Sequence, residues 1–200
     1  MKAPAAAVEL LDLSVREFAE RLADGRTDAG GGSTAAVVLA ISAGLAGMAA
    51  RASREAWEGG PGAIAQADAL RARAVPLVEA DAKVYAEALA TLRSRDELEP
   101  GERDDAIRQA LSRAAEVPLA IAETASDVAE LASAIAELGS EEVRGDAAAA
   151  AVLAAAAARA AANLVVINLA AARDDDRVAR ARLLVERSAA CAKRALGPGA

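Results

Sequence analysis

Asp81 lies on an otherwise apolar helical stripe, four residues after Leu77 and three before Val84. A carboxylate in such surroundings is costly unless it is paired or hydrogen-bonded. Burial also raises its pKa toward the range useful for general acid–base work. A salt bridge to Arg51, Arg71 or another bundle arginine is the plainer alternative. Upstream, Gly30-Gly31-Gly32-Ser33 precedes a long apolar segment. A glycine-rich turn at a helix N-terminus exposes backbone N–H groups where the helix dipole favours negative charge, so a ligand carboxylate or carbonyl oxygen can dock there. A flexible linker ending in a serine cap accounts for the same residues. The turn is not a P-loop, since no Gly-Lys-Ser/Thr follows it.

Other candidates are more ambiguous. Asp146 stands at a helix start, where it serves either as an N-cap or as a group that orients water or ligand. Asn163 and Asn168 sit on an apolar helix, and buried amides need partners. They either hold a ligand ring by donor–acceptor pairs or bridge helices. Tyr85 is one turn from Asp81 and either flanks the same pocket or packs in the core. Asp174 lies at a charged helix joint, and Cys191 shares a face with Leu184, Ser188 and Ala195 as a small core filler.

The elements that must position these groups are helical throughout. Ser14 and Glu17 have capping-box spacing, and Val15, Phe18, Ala19 and Leu22 follow on one face of a helix ending near Asp24–Gly25. Ser33 is read as the N-cap of a second helix, since three glycines sit poorly inside one. That helix runs to about Trp57 and is apolar on every side until Arg51, which places it mid-bundle. After the Gly59-Gly60-Pro61-Gly62 turn, a third helix reaches Leu92 with a kink at Pro76. Charged residues from Arg93 to Asp105 read as a solvated connection. A fourth helix carries Ile107, Leu111, Ala114, Ile121, Ala125, Val128 and Ile135, and Pro118 within it frees the carbonyl of Ala114. After a loop at 139–145, the stretch Ala147–Ala172 holds one charge, Arg159, and forms a second centrally buried helix. The joint 173–177 leads to a last amphipathic helix ending near Leu196, and the tail after it is frayed. No alternating β-pattern appears. The expectation is a single all-α domain over 1–200, an alanine-rich bundle of about six helices.

Composition narrows the chemistry. Of the 200 residues 54% are apolar and 2% aromatic, and the net charge is −7. Small side chains allow close helix packing but bury little area each, so a homodimer is expected to extend the core. No stretch is basic enough for phosphate neutralisation, which argues against a nucleic-acid partner. The uncharged segment Ala29–Ala50 raises the question of a membrane span, but its Ala, Gly, Ser and Thr content favours a buried helix, with no membrane partner. No signal peptide is evident, and a cytoplasmic location is expected. Histidine is absent and Cys191 is the only cysteine. Imidazole chemistry and His zinc sites are therefore excluded, leaving proton transfer to Asp, Glu, Lys, Tyr, Cys191 or water.

Taken together, Gly30-Gly31-Gly32-Ser33-Thr34-Ala35-Ala36, the uncharged helix with Met48, Glu79-Ala80-Asp81-Ala82, Ala115-Glu116-Val117-Pro118-Leu119, Gly145-Asp146-Ala147, Ile167-Asn168-Leu169 and Arg173-Asp174 resemble the cyclodeaminase/cyclohydrolase family in order and spacing. The resemblance runs from about Leu10 to Leu184. It implies an all-helical fold, a dimer or higher oligomer, a folate pocket near the glycine turn, and no metal or redox cofactor. It leads to hydrolysis of 5,10-methenyltetrahydrofolate to 10-formyltetrahydrofolate. Asp81 is then the base, Asp146 a second catalytic group, and Gly30, Gly31, Gly32, Ser33, Asn163, Asn168 and Arg51 the substrate-binding residues, with Arg51 meeting the glutamate tail. The alternatives are formiminotetrahydrofolate cyclodeaminase, which releases ammonia, and a non-catalytic folate-binding or structural protein. The last is motivated by departures from the family pattern such as Asp28-Ala29 before the glycines and Gly139-Ser140 in the loop.

Overall fold

Ser14 starts the first helix as its spacing predicts. Its Oγ accepts the Glu17 N–H at 3.2 Å, and the Glu17 carboxylate accepts the Ser14 N–H at 2.8 Å. The computed structural model describes residues 9–24, 29–94, 99–170 and 174–197. Gly25, Arg26, Thr27 and Asp28, Arg95, Ala172, the Arg173 end of the late joint, Met1 to Val8 and the tail from Pro198 lie outside the described residues.

Among the described residues there are eight α-helices and no strand: α1 (Val15–Ala23), α2 (Gly31–Ala52), α3 (Gly60–Ala74), α4 (Leu77–Ser94), α5 (Pro100–Ala114), α6 (Glu116–Leu138), α7 (Arg144–Asn168) and α8 (Asp176–Leu196). The fold is the all-α bundle expected, with the expected kinks now breaks. Pro76 divides α3 from α4 across Val75. The break at Ala115, three residues before Pro118, divides α5 from α6. Counting each broken pair as one helix recovers the six expected.

Two boundaries differ from the sequence reading. Helix α2 stops at Ala52 rather than Trp57, because Ser53 turns the chain and its Oγ accepts the Ser140 N–H at 2.9 Å. The supposed solvated connection is partly helix, since Pro100 opens α5 at a position where its missing N–H costs nothing.

Helices α2, α6 and α7 form the centre, and α7 packs against α2, α6 and α8. Their contact surfaces are built from alanine: Ala36, Ala46, Ala49 and Ala50 on α2 and Ala150, Ala151, Ala154, Ala158 and Ala161 on α7 are all fully buried. Leu39, Ile121, Val128 and Ile135 supply the bulk between them. The Ser42 Oγ donates to the Ala150 carbonyl at 2.7 Å, a polar tie made possible by close approach of α2 and α7. Both helices are long and apolar enough by composition to cross a bilayer, and both are central here. Neither is covered all round, however: Ile41 and Met48 on α2 and Val152, Leu153 and Ile167 on α7 are exposed.

Alanine at these contacts is a steric requirement. Ala154→Leu introduces three heavy atoms where none fit and is expected to cost about 1–3 kcal/mol. For a chain of this size that lowers Tm by about 2–12 °C, read by thermal denaturation; an unchanged Tm would show that the α7 contacts have slack.

Candidate functional site

The site begins at the N-terminus of α2. Gly30, not Ser33, is the N-cap, and Gly31 and Gly32 form the first turn. The reason is visible in the bonding. Ser33 stands three residues into the helix and its Oγ accepts the Gly30 N–H at 3.0 Å, while the Thr34 N–H makes the first intrahelical bond, to the Gly30 carbonyl at 3.0 Å. Glycine is tolerable in a first turn, where N–H groups lack intrahelical partners in any case. The Ser33 N–H donates to the Asp81 carboxylate. This leaves the N–H groups of Gly31 and Gly32 without a helical acceptor.

Asp81 is brought to this turn by α4, which packs against α2. It is 6% exposed. Its carboxylate lies so close to Gly32 that a Cβ there would overlap it, whereas Gly30 and Gly31 face open space. Glycine at position 32 is thus required by approach of a side chain. Burial pushes the Asp81 carboxyl up to about 6, against the smaller opposing effect of the Ser33 N–H. Among the described residues no cation pairs with it, and Arg51 is bound elsewhere, to Asp68 and the Gly47 carbonyl.

A cavity of about 250 Å³ opens in front of the carboxylate, lined by Gly30, Gly31, Gly32, Asp81, Val84, Tyr85, Ala114, Pro118, Leu164, Ile167 and Asn168. Its walls are apolar and its polar groups converge from three elements: the glycine turn, Asp81 and Asn168. The Asn168 Nδ2 donates to the Ala114 carbonyl at 2.9 Å, the carbonyl that Pro118 leaves without its helical donor. On the far side of this break Arg177 donates to the Ser112 carbonyl and Oγ at 2.9 and 2.8 Å and is held by Asp175. That pairing keeps the Asp175 carboxyl down at about 2, and Asp175 caps α8 by accepting the Arg177 N–H.

The structure brings together Gly30, Gly31, Gly32, Ser33, Asp81, Asn168 and Tyr85. It does not bring Asp146, Asn163 or Arg51 to them within one chain. Asp146 is exposed in the first turn of α7, roughly 33 Å of helix from Asn168. Arg51 stands near the C-terminus of α2, roughly 30 Å from the glycine turn. Asn163 is exposed on a different face of α7, because five helical residues turn the chain by about 140° relative to Asn168. Asp174 is exposed, and Cys191 is buried as a core filler. The apolar lining residues Val84, Leu164 and Ile167 carried no signal of their own. Among the described residues no three Asp, Glu or Cys side chains converge on a metal-sized site.

The raised Asp81 value has a consequence for stability. Below about pH 4 the group is protonated both folded and unfolded. Between about 4 and 6 the folded state holds the proton more tightly, so stability falls as pH rises through this window, on the order of 1–3 kcal/mol in total. Asp81→Asn lacks this penalty. Its Tm is expected to gain on that of the parent between pH 4 and pH 7, and a Tm difference equal at both pH values would contradict the buried ionisation.

A solved structure described as formiminotetrahydrofolate cyclodeaminase from Thermotoga maritima superposes with a TM-score of 0.78 over 94% of this chain and 96% of that one, at 24% identity. Formimidoyltransferase-cyclodeaminase of Rattus norvegicus is 33% identical over 131 residues, and its Mus musculus counterpart matches equally, each match covering 58% of this chain. The matched stretch spans 23% of the length of those two relatives. Residues 14–187 match the formiminotransferase-cyclodeaminase family, and the match takes in α1 to α7, the glycine turn, Asp81 and Asn168. The chain belongs to the formiminotransferase-cyclodeaminase family.

Proposed function

We propose that this chain is a folate one-carbon enzyme that closes the ring of 5-formiminotetrahydrofolate and releases ammonia, with Asp81 as its acid–base group. The observation that carries this reading is a lone carboxylate, raised to about 6, in an apolar cavity beside the N–H groups of Gly31 and Gly32, which have no helical acceptor. The cavity is smaller than the roughly 300–1,000 Å³ that houses a whole drug-sized ligand. It suits the reacting ring, with the remainder of the folate passing out between Tyr85 and Ile167.

The chemistry suits one carboxyl used twice. The formimino group enters as an amidinium cation, which the Asp81 carboxylate attracts. N10 attacks the formimino carbon, and the N10–C bond forms as the C=N π pair moves onto the terminal nitrogen. Asp81 takes the N10 proton and then gives it to that nitrogen. The C–N bond breaks, ammonia leaves, and the N5 lone pair completes the methenyl cation. A group with a pKa near the working pH serves both as base and as acid. The names of the mammalian relatives and of the solved structure support this ordering over hydrolysis.

The hydrolytic reading, 5,10-methenyltetrahydrofolate to 10-formyltetrahydrofolate, draws on the same carboxylate. Asp81 is the one carboxylate among the described residues lining the cavity, and attack of water on a cation already formed needs only a base. No metal or redox cofactor takes part in either scheme.

A second copy of this chain is the proposed partner. Ile41 and Met48 are seven residues apart on α2, and Leu153, Ala156, Ala160 and Ile167 share a face of α7; both stripes are uncharged and open. The α7 stripe includes Asn163 and ends at Ile167 on the cavity wall, so a homodimer here would also shield the site.

Two measurements test these proposals. Purified protein is expected to release ammonia from 5-formiminotetrahydrofolate, with kcat/KM rising with pH to a plateau above about 6 and Asp81→Ala losing about 10²–10⁴-fold in kcat. Turnover of the methenyl compound alone would select the hydrolytic reading, and binding of folates without either turnover the non-catalytic one. In sedimentation, the parent is expected at twice the chain mass and Ile41→Glu at the chain mass with its helical spectrum intact. A monomeric parent would refute the dimer.

A further inference from the structure

Asn168 is the one polar side chain of the cavity whose two ends are chemically different, and the structure fixes which end is used. Its Nδ2 donates to the Ala114 carbonyl at 2.9 Å. That carbonyl is available because residue 118 is proline. In a continuous helix the N–H at position 118 would bond the carbonyl at position 114, and proline has no N–H. Ala114, Pro118 and Asn168 all line the same cavity. With Nδ2 engaged, Oδ1 has no hydrogen-bond partner among the described residues and is the amide's acceptor at the cavity wall. An amide free to rotate would offer a donor or an acceptor as the ligand required; this one offers an acceptor.

We propose that Pro118 is a positioning residue that locks the Asn168 amide with Oδ1 toward N8 of the bound pterin ring, and that this acceptor makes the site select the reduced, N8–H-bearing form over the oxidised form. The inference rests on the folate reading above and adds the device that sets its redox selectivity. In a tetrahydropterin the pyrazine-side ring nitrogen N8 carries a hydrogen and can donate. In the oxidised ring it carries only a lone pair. Facing an acceptor oxygen, the first makes a hydrogen bond and the second leaves two acceptors opposed and stripped of water. Sites built around such a bond reject the analogue that cannot make it far more strongly than apolar pockets reject an extra or missing methylene. The Asp81 carboxylate, also acceptor-rich when ionised, adds to the same preference, but its protonated form can donate and it is not locked. Asn168 is therefore the residue on which the discrimination turns.

The experiment uses two probes sharing the p-aminobenzoylglutamate tail: 5-formyltetrahydrofolate, whose ring keeps the N8 hydrogen, and folic acid, whose ring does not. Binding is measured by calorimetry, independent of turnover, for the parent, Pro118→Ala and Asn168→Leu. The parent is expected to prefer the reduced probe by at least about 10-fold. Pro118→Ala restores an N–H that competes for the Ala114 carbonyl and frees the amide to rotate. It is expected to keep its helical spectrum and its affinity for the reduced probe to within about 3-fold, while folic acid binding improves and the preference collapses toward unity. Asn168→Leu, which has no acceptor, is expected to lose the preference by weakening the reduced probe. A parent that binds both probes equally, or a folded Pro118→Ala that keeps the full preference, overturns the lock while leaving the folate reading intact. A parent that binds neither probe overturns the folate reading and the lock with it.

Discussion

The site depends on one steric and electrostatic contact, the Asp81 carboxylate seated against the Cα of Gly32 at the start of α2. The carboxylate is buried, which raises its proton affinity. It keeps its place because the Ser33 N–H donates to it and the positive end of the α2 dipole faces it. Neither compensation is large; a helix terminus and one N–H are each worth about 1 kcal/mol or somewhat more, against a burial cost of several. The difference appears as a pKa near 6 rather than as a broken structure. A side chain at position 32 would overlap the carboxylate, so the glycine turn and the acid are one device. The turn is glycine to let the acid in, and its neighbours leave open space that a ligand can fill.

A second device is built from a defect. Proline at 118 costs the bundle a helical hydrogen bond and divides α5 from α6. The orphaned Ala114 carbonyl is satisfied by Asn168 from α7, and the Ser112 carbonyl by Arg177 from α8. Four helices therefore meet at the break, and the cavity wall of Ala114, Pro118 and Asn168 is fixed by a bond made possible by the interruption of the helix there. Arg177 is itself held by Asp175, so the anchor is rigid and the strongly lowered Asp175 carboxyl stays ionised over the whole range in which Asp81 titrates.

Much of this was legible in the residues. Asp81 on an apolar stripe, the glycine turn, and Pro118 with its freed carbonyl were each readable from spacing and elementary helix geometry. What misled was local. Ser33 looks like an N-cap because serine usually is one, but its hydroxyl here reaches back to Gly30 from inside the first turn. Asn163 and Asn168 looked equivalent because α7 is apolar on every side and periodicity assigns no face; only their offset of five residues says that they diverge. Asp146 and Arg51 lie apart from the cavity within one chain for a reason of length. Helices α2 and α7 are antiparallel and roughly 33–38 Å long, so residues at their far ends are a whole domain away from the cavity, and no pattern within either helix reports that distance.

The alanine content links the core to the surface. Alanine brings α2 and α7 close enough for a serine hydroxyl to bridge them, but it buries little area per residue. Stability must then come from many contacts around each helix, and an apolar circumference is how α2 and α7 provide them. The described residues leave part of both uncovered. Helix α7 is flanked by α2, α6 and α8, and one stripe is left open. The same geometry explains the cavity, since small side chains on α2 and at Ala114 leave volume that only Leu164, Ile167 and Tyr85 partly fill. An uncovered stripe and an unfilled pocket are two results of building a core from the smallest side chain that still favours a helix.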